Sequence, residues 1–98
     1  MTARGRVTDA KTHQPIAAFK LTVGMRLKPD QPAVFNDGTT KDFNNGRYNI
    51  TFDGLNEAID AWFVRIEAKG YAAETSPPFT ATGRHDFEMK PAAATSQP

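Results

Sequence analysis

At 98 residues the chain has room for one hydrophobic core, and its 12 Lys+Arg against 11 Asp+Glu leave a formal net charge of +1. That near balance supplies no electrostatic footprint for nucleic acid or an anionic membrane, and the absence of cysteine excludes disulfide frameworks, thiolate nucleophiles and cysteine zinc sites. No run approaches the ~20 apolar residues that span a bilayer, so no membrane insertion is expected.

In chain order, Arg4 to Asp9 reads as a first strand. The stretch from Asp9 to Pro15 follows as a tight connection, in which Asp and Thr can bond their own backbone and Pro15 fixes φ. Phe19-Lys20-Leu21-Thr22-Val23 alternates with period two and predicts a second strand with Phe19, Leu21 and Val23 inward. From Arg26 to Phe43 runs an irregular stretch with Pro29, Pro32 and Asn36-Asp37-Gly38, longer than the usual connection of about 4–6 residues. Thr39 to Phe43 forms its strand-like end. Asn44-Asn45-Gly46 before Tyr48 has the chemistry of a type I′ hairpin turn, which requires φ > 0 at both central residues.

Arg47 to Asp53 then alternates, with Tyr48, Ile50 and Phe52 on one face. Leu55 and Ile59 sit four apart in Gly54 to Asp60, the single helical candidate and at most one turn. Ala61 to Lys69 is the strongest strand, placing Trp62, Val64, Ile66 and Ala68 inward and leaving Phe63 on the polar face with Arg65. Tyr71 to Phe79 and His85 to Met89 complete about seven short strands. The spacing predicts an all-β, antiparallel seven-stranded sandwich occupying residues 1–90, with the uncharged 91–98 as a tail or linker.

Gly5-Arg6-Val7-Thr8-Asp9-Ala10-Lys11-Thr12-His13-Gln14-Pro15-Ile16 resembles the G-x-V-x-D-x-x-T-G-x-P-[IL] signature of carboxypeptidase regulatory-like domains. Gly46-Arg47-Tyr48-Asn49-Ile50 is similar to the family's G-x-Y-x-[IL] strand, and Val64 to Tyr71 to its strand ending in x-A-x-G-Y. His13 departs from the usual Gly, and Arg26 to Phe43 has no counterpart. The resemblance implies a transthyretin-like (prealbumin-like, Ig-like) sandwich serving as a non-catalytic module beside other domains, and an extracytoplasmic (periplasmic or secreted) location.

The remaining chemistry points the same way. His13 and His85 have no metal-ligand spacing, and Asp30, Asn36, Asp37 and Asp42 lack the D-x-[DN]-x-[DN]-G order of a calcium loop. Ser76 and Ser96 have no G-x-S-x-G setting, so no catalytic residue, cofactor or metal is expected and the chain reads as a non-enzyme.

Binding remains. The candidate contact surface consists of Phe35 as anchor in the long loop, with Arg26, Lys28 and Asp37 around it, and of Phe63 with Arg65 on the sheet. The expected partners are neighbouring domains of the same polypeptide or another protein. A glycan held on exposed aromatics is the alternative. Against both stands the reading that Val34 and Phe35 fold back over a sheet edge and that Phe63 packs at one end of the sandwich.

Overall fold

Burial alternates wherever the side chains do. In the strand Arg47–Thr51, Tyr48 and Ile50 turn into the core while Arg47, Asn49 and Thr51 face solvent. The computed structural model describes residues 2–51 and 59–92. Among them the chain forms short strands β1 (Thr2–Asp9), β2 (Phe19–Arg26), β3 (Val34–Phe35), β4 (Lys41–Phe43), β5 (Arg47–Thr51), β6 (Ala61–Glu67), β7 (Glu74–Thr75), β8 (Gly83–Arg84) and β9 (Phe87–Met89). A 3₁₀ turn, Asp37–Thr39, is the helical element of the described residues. The chain is all-β and builds two sheets.

One sheet has the order β5-β1-β8, with β9 also on β1. The other runs β3-β2-β6-β7, with β4 also on β2. β8 and β9 hold one register offset against β1, so they lie on a single line interrupted at His85 and Asp86. β3 and β4 likewise lie on the same side of β2, but their registers differ because the 3₁₀ turn bulges out between them. That bulge would orphan the backbone of Val23 in mid-strand. The loop repairs this: Thr39 Oγ1 accepts the Val23 N–H at 2.9 Å, and the Asn36 N–H donates to the Val23 carbonyl at 3.1 Å. Thr22, 1% exposed, is satisfied by Thr40 Oγ1 at 2.8 Å.

The core gathers Val7, Phe19, Leu21, Tyr48, Ile50, Val64, Ile66, Phe87 and Met89 from both sheets, with Val23 at its edge. Trp62 differs from the expectation. It is half-buried at the core margin, where its backbone pairs with Phe79, and Phe79 is the aromatic that goes in, at 8% exposure. Phe52 and most of the Gly54 to Asp60 candidate turn lie outside the described residues.

Two further expectations need correcting. The sandwich is not wholly antiparallel, because β1 pairs β8 and β9 in parallel. Parallel neighbours need a long crossover, and here the rest of the chain supplies it. Asn44-Asn45-Gly46 is not a type I′ hairpin either. β4 belongs to one sheet and β5 to the other, so the segment is a corner between sheets; Gly46 has φ 75°, but Asn45 does not take a positive φ.

Local chemistry explains the first turn. Asp9 Oδ1 accepts the N–H groups of Lys11 (2.7 Å) and Thr12 (3.0 Å), and Thr12 Oγ1 accepts that of Gln14 at 3.2 Å. These bonds leave His13 at φ 61°, a conformation His tolerates better than most residues. The other carboxylate oxygen of Asp9 takes the Tyr71 hydroxyl at 2.6 Å, fastening the turn to the far end of the chain. Pro91 bridges Tyr71, and the Ala92 N–H donates to the Gly70 carbonyl at 3.0 Å; residues 93–98 lie outside the described residues.

Candidate functional site

β2 carries Gly24 between Phe35 of β3 and Phe63 of β6, opposite both in register and on the outer face of the sheet. With no side chain on Gly24, the Phe35 ring settles onto its backbone, so close that a Cβ there would stand 2.6 Å from two ring carbons. Phe35 meets Phe63 at 6.5 Å between centroids, tilted by 58°. Arg65 lies over the Phe35 ring at 4.5 Å and Arg26 over the Phe63 ring at 5.5 Å. The result is a ladder of alternating cation and aromatic across one sheet face.

The structure therefore brings together Arg26, Phe35, Asp37, Phe63 and Arg65, but not as a free contact surface. Phe63 is 8% exposed and Phe35 half-buried, so neither is the exposed aromatic that the sequence suggests. The cations are engaged as well. Arg26 Nη2 and Nε reach Asp60 Oδ2 at 2.7 and 2.9 Å, and Arg65 stands 3.5 Å from Glu67 and 4.0 Å from Asp37. The loop closes over its own sheet because Gly24 leaves a trough that a ring fills. Lys28 stays exposed on the hairpin beyond.

One surface lies within the loop that the sequence singled out but rests on other residues, and a second escaped the sequence reading. The first is the tip of the β2–β3 hairpin, where Leu27 (56%) and Val34 (63%) are the exposed large hydrophobics among the described residues. Val34 is opposite Met25, which brings the two aliphatics to the same end of the hairpin.

The second is an open groove of about 580 Å³ over the β5-β1-β8 sheet, whose lining includes Arg4, Arg6, Arg47 and Arg84, the side chains of Asn44, Asn45 and Asn49, and Asp42. Asp86 answers part of this charge. Arg84 Nε donates to both its oxygens (3.0 and 3.1 Å) and the Arg6 N–H to one (2.8 Å), which together hold the carboxyl below the usual carboxylate range. Strand alternation could have placed Arg4 and Arg6 on one face, but not the partners that topology sets beside them.

Of the two serines, Ser96 lies outside the described residues and Ser76 is tied into the fold. Ser76 Oγ accepts the Val64 N–H at 3.1 Å and donates to the Pro77 carbonyl at 3.0 Å. His85 packs against Phe79 at 4.6 Å, and His13 is exposed beside Glu88 at 3.4 Å. Among the described residues no three His, Cys, Asp or Glu side chains are grouped to hold a metal ion, and no helix is long and apolar enough to cross a membrane.

No family model and no curated protein matches the chain. Among solved structures it is similar to a 9R-lipoxygenase from Cyanothece PCC8801, with a TM-score of 0.53 and 17% identity. The likeness covers 88% of this chain and 16% of that one, and at this identity it speaks to the fold alone.

Proposed function

We propose that the chain is a non-catalytic accessory module of a larger protein, held against a neighbouring domain of the same polypeptide through the tip of its β2–β3 hairpin. The observation that carries this reading is the exposed pair Leu27 and Val34, with the charged residues Lys28 and Asp30 exposed close by in the same connection. Magnitude selects the kind of partner. Burying two aliphatic side chains yields at most about 3–6 kcal/mol. Free association costs about 4–15 kcal/mol, so two anchors do not sustain it, whereas a tether raises the effective concentration to roughly millimolar and removes most of that cost.

The finer fold belongs to the same reading: a seven-stranded, transthyretin-like sandwich of the carboxypeptidase regulatory-like kind. In its support, β8 and β9 share one line and β3 and β4 flank one side of β2, which reduces nine segments to seven passes. His13 also holds φ 61° where that family's pattern has Gly. Glycan binding on exposed aromatics loses its basis with Phe35 and Phe63 covered.

A photo-crosslinking residue at position 27 or 34 of the full polypeptide tests the proposal. Crosslinks to another domain are expected from both positions and not from the exposed Lys69. Silence at 27 and 34, or turnover of a peptide, ester or glycoside that a point mutation in this chain abolishes, would overturn it.

A further inference from the structure

We propose that the outer face of the β5-β1-β8 sheet is a binding site for an acidic polysaccharide, gripped through its carboxylate or sulfate groups by Arg4, Arg6, Arg47 and Arg84. This assigns a ligand to a face other than the hairpin tip and goes beyond the accessory role.

Strand geometry places the charges. Arg4 and Arg6 alternate outward on β1 around the buried Gly5, and side chains two apart along a strand repeat at about 6.6–6.8 Å. Register then sets Arg47 of β5 opposite Arg6, Asn49 opposite Arg4, and Arg84 of β8 on the other flank of Arg4. Neighbouring strands are about 4.8 Å apart, so Arg6 with Arg47 and Arg4 with Arg84 are like charges side by side, an arrangement that costs stability. Asp86 offsets Arg84. Among the described residues no carboxylate comes within 4.0 Å of the guanidinium of Arg4, Arg6 or Arg47, and all three side chains are exposed. Four arginines against Asp86, with Asp42 also on the lining, leave this face with more cations than carboxylates, which makes it complementary to an anion supplied from outside.

The lining selects the class of anion. Guanidinium forks take carboxylate and sulfate oxygens two at a time, which a point-charge ammonium does not. Asn44, Asn45 and Asn49 add amides that both donate and accept, matching the hydroxyls between the acidic groups of a glycan. A groove of about 580 Å³ falls in the range of small-ligand sites. An acidic protein segment fits less well, because tight peptide contacts need an apolar anchor pocket, and the aromatics bordering this groove are committed: Phe43 stacks on Phe19 at 5.5 Å, and Tyr48 is 3% exposed. Nucleic acid fits less well too. Among the described residues the groove has no exposed ring for base stacking, Asp42 and Asp86 stand among the arginines, and the chain's net charge is only +1.

The test is titration of the ¹⁵N-labelled chain, followed by amide and arginine Nε–H resonances. The probes are an oligogalacturonate, a heparin-derived sulfated oligosaccharide, neutral dextran, polyglutamate and a single-stranded DNA oligonucleotide. Saturable shifts at Arg4, Arg6, Arg47, Asn49 and Arg84 are expected with the galacturonate or the sulfated probe, and whichever binds identifies the oxyanion. Dextran should give none. The double variant R4Q/R47Q should weaken binding at least tenfold while its melting temperature stays level or rises, since like charges are relieved. The proposal is overturned if neither acidic glycan saturates, if R4Q/R47Q binds as well as the parent, or if DNA or polyglutamate binds more tightly. Crosslinking from the hairpin tip is independent of every one of these outcomes, so the two readings fail separately.

Discussion

Substituting Gly5 by Ala should be among the most damaging single-methyl additions to this fold. Gly5 lies on β1 between the two groove arginines and faces the core. A Cβ there would land on the His85 carbonyl oxygen, 2.7 Å from the carbonyl carbon and 3.0 Å from Tyr48 Cε2. The obstacle is backbone rather than the tip of a flexible side chain, so the line formed by β8 and β9 must retreat from β1. Retreat strains the His85 N–H bond to the Arg4 carbonyl (2.8 Å) and the Tyr48 hydroxyl bond to the His85 carbonyl (2.5 Å).

Overpacking of this kind costs about 1–3 kcal/mol, and stranding a buried phenol costs about 1–3 kcal/mol more, so a loss of about 2–6 kcal/mol is expected. At about 4–8 °C per kcal/mol for a domain of this size, the melting temperature should fall by roughly 10–50 °C. Gly70→Ala is the control. Gly70 has φ 86° and nothing within 4 Å of the added methyl, so that variant carries left-handed strain alone, about 1–2 kcal/mol. Thermal and guanidinium unfolding of both variants, followed by circular dichroism, gives the comparison. If Gly5→Ala loses no more than Gly70→Ala, the close approach of β1 to His85 is wrong.

Truncating the fully buried Ile66 to Ala should cost about 2–5 kcal/mol in denaturant unfolding, against less for the half-buried Trp62 than a buried aromatic's about 3–5 kcal/mol. Phe35→Ala should destabilise by about 1–3 kcal/mol and uncover Phe63, detectable as increased binding of a hydrophobic dye. The Tyr71 hydroxyl, and then the Thr12 and Lys11 amides, hold the Asp9 carboxyl below its ordinary range. Its contribution is therefore complete above about pH 4 and drains away as pH falls through the lowered folded value. Asp9→Asn should flatten that part of the acid limb in urea midpoints measured between about pH 5 and pH 2, and a wild-type slope in the variant would show that Asp9 contributes nothing there.

Much of the fold was legible because a half-buried sheet writes itself into period-two alternation. Tyr48 and Ile50, Val64 and Ile66, and Phe87 and Met89 are inward as their spacing indicates. Three things were hidden. Whether Asn44-Asn45-Gly46 closes a hairpin or turns a corner depends on which sheet each flanking strand joins, and that pairing is not local. Whether an apolar residue on a polar face is exposed depends on what covers it: Phe63 is buried because Gly24 lets Phe35 lie flat beside it. And net charge averages over the whole surface. Twelve cations against eleven anions read as neutral, yet β1, β5 and β8 bring Arg4, Arg6, Arg47 and Arg84 from the start, middle and later part of the chain to one face.

The arginines divide by what their guanidiniums touch. Arg26 and Arg65 each lie on a phenylalanine ring with a carboxylate at their edge, so both the flat face and the forked edge of the group are used within the fold. Such arginines hold a loop to a sheet. Arg4, Arg6 and Arg47 have neither a ring nor a carboxylate among the described residues, and stand beside one another at a cost in repulsion. A fold that needed only solubility there would be served as well by mixed charges, which carry no such penalty. Planar forks repeated at strand spacing suit oxyanions that arrive at a matching spacing. On that ground the two faces are read differently: one has closed on itself, and the other presents the guanidiniums that the proposed acidic ligand would engage.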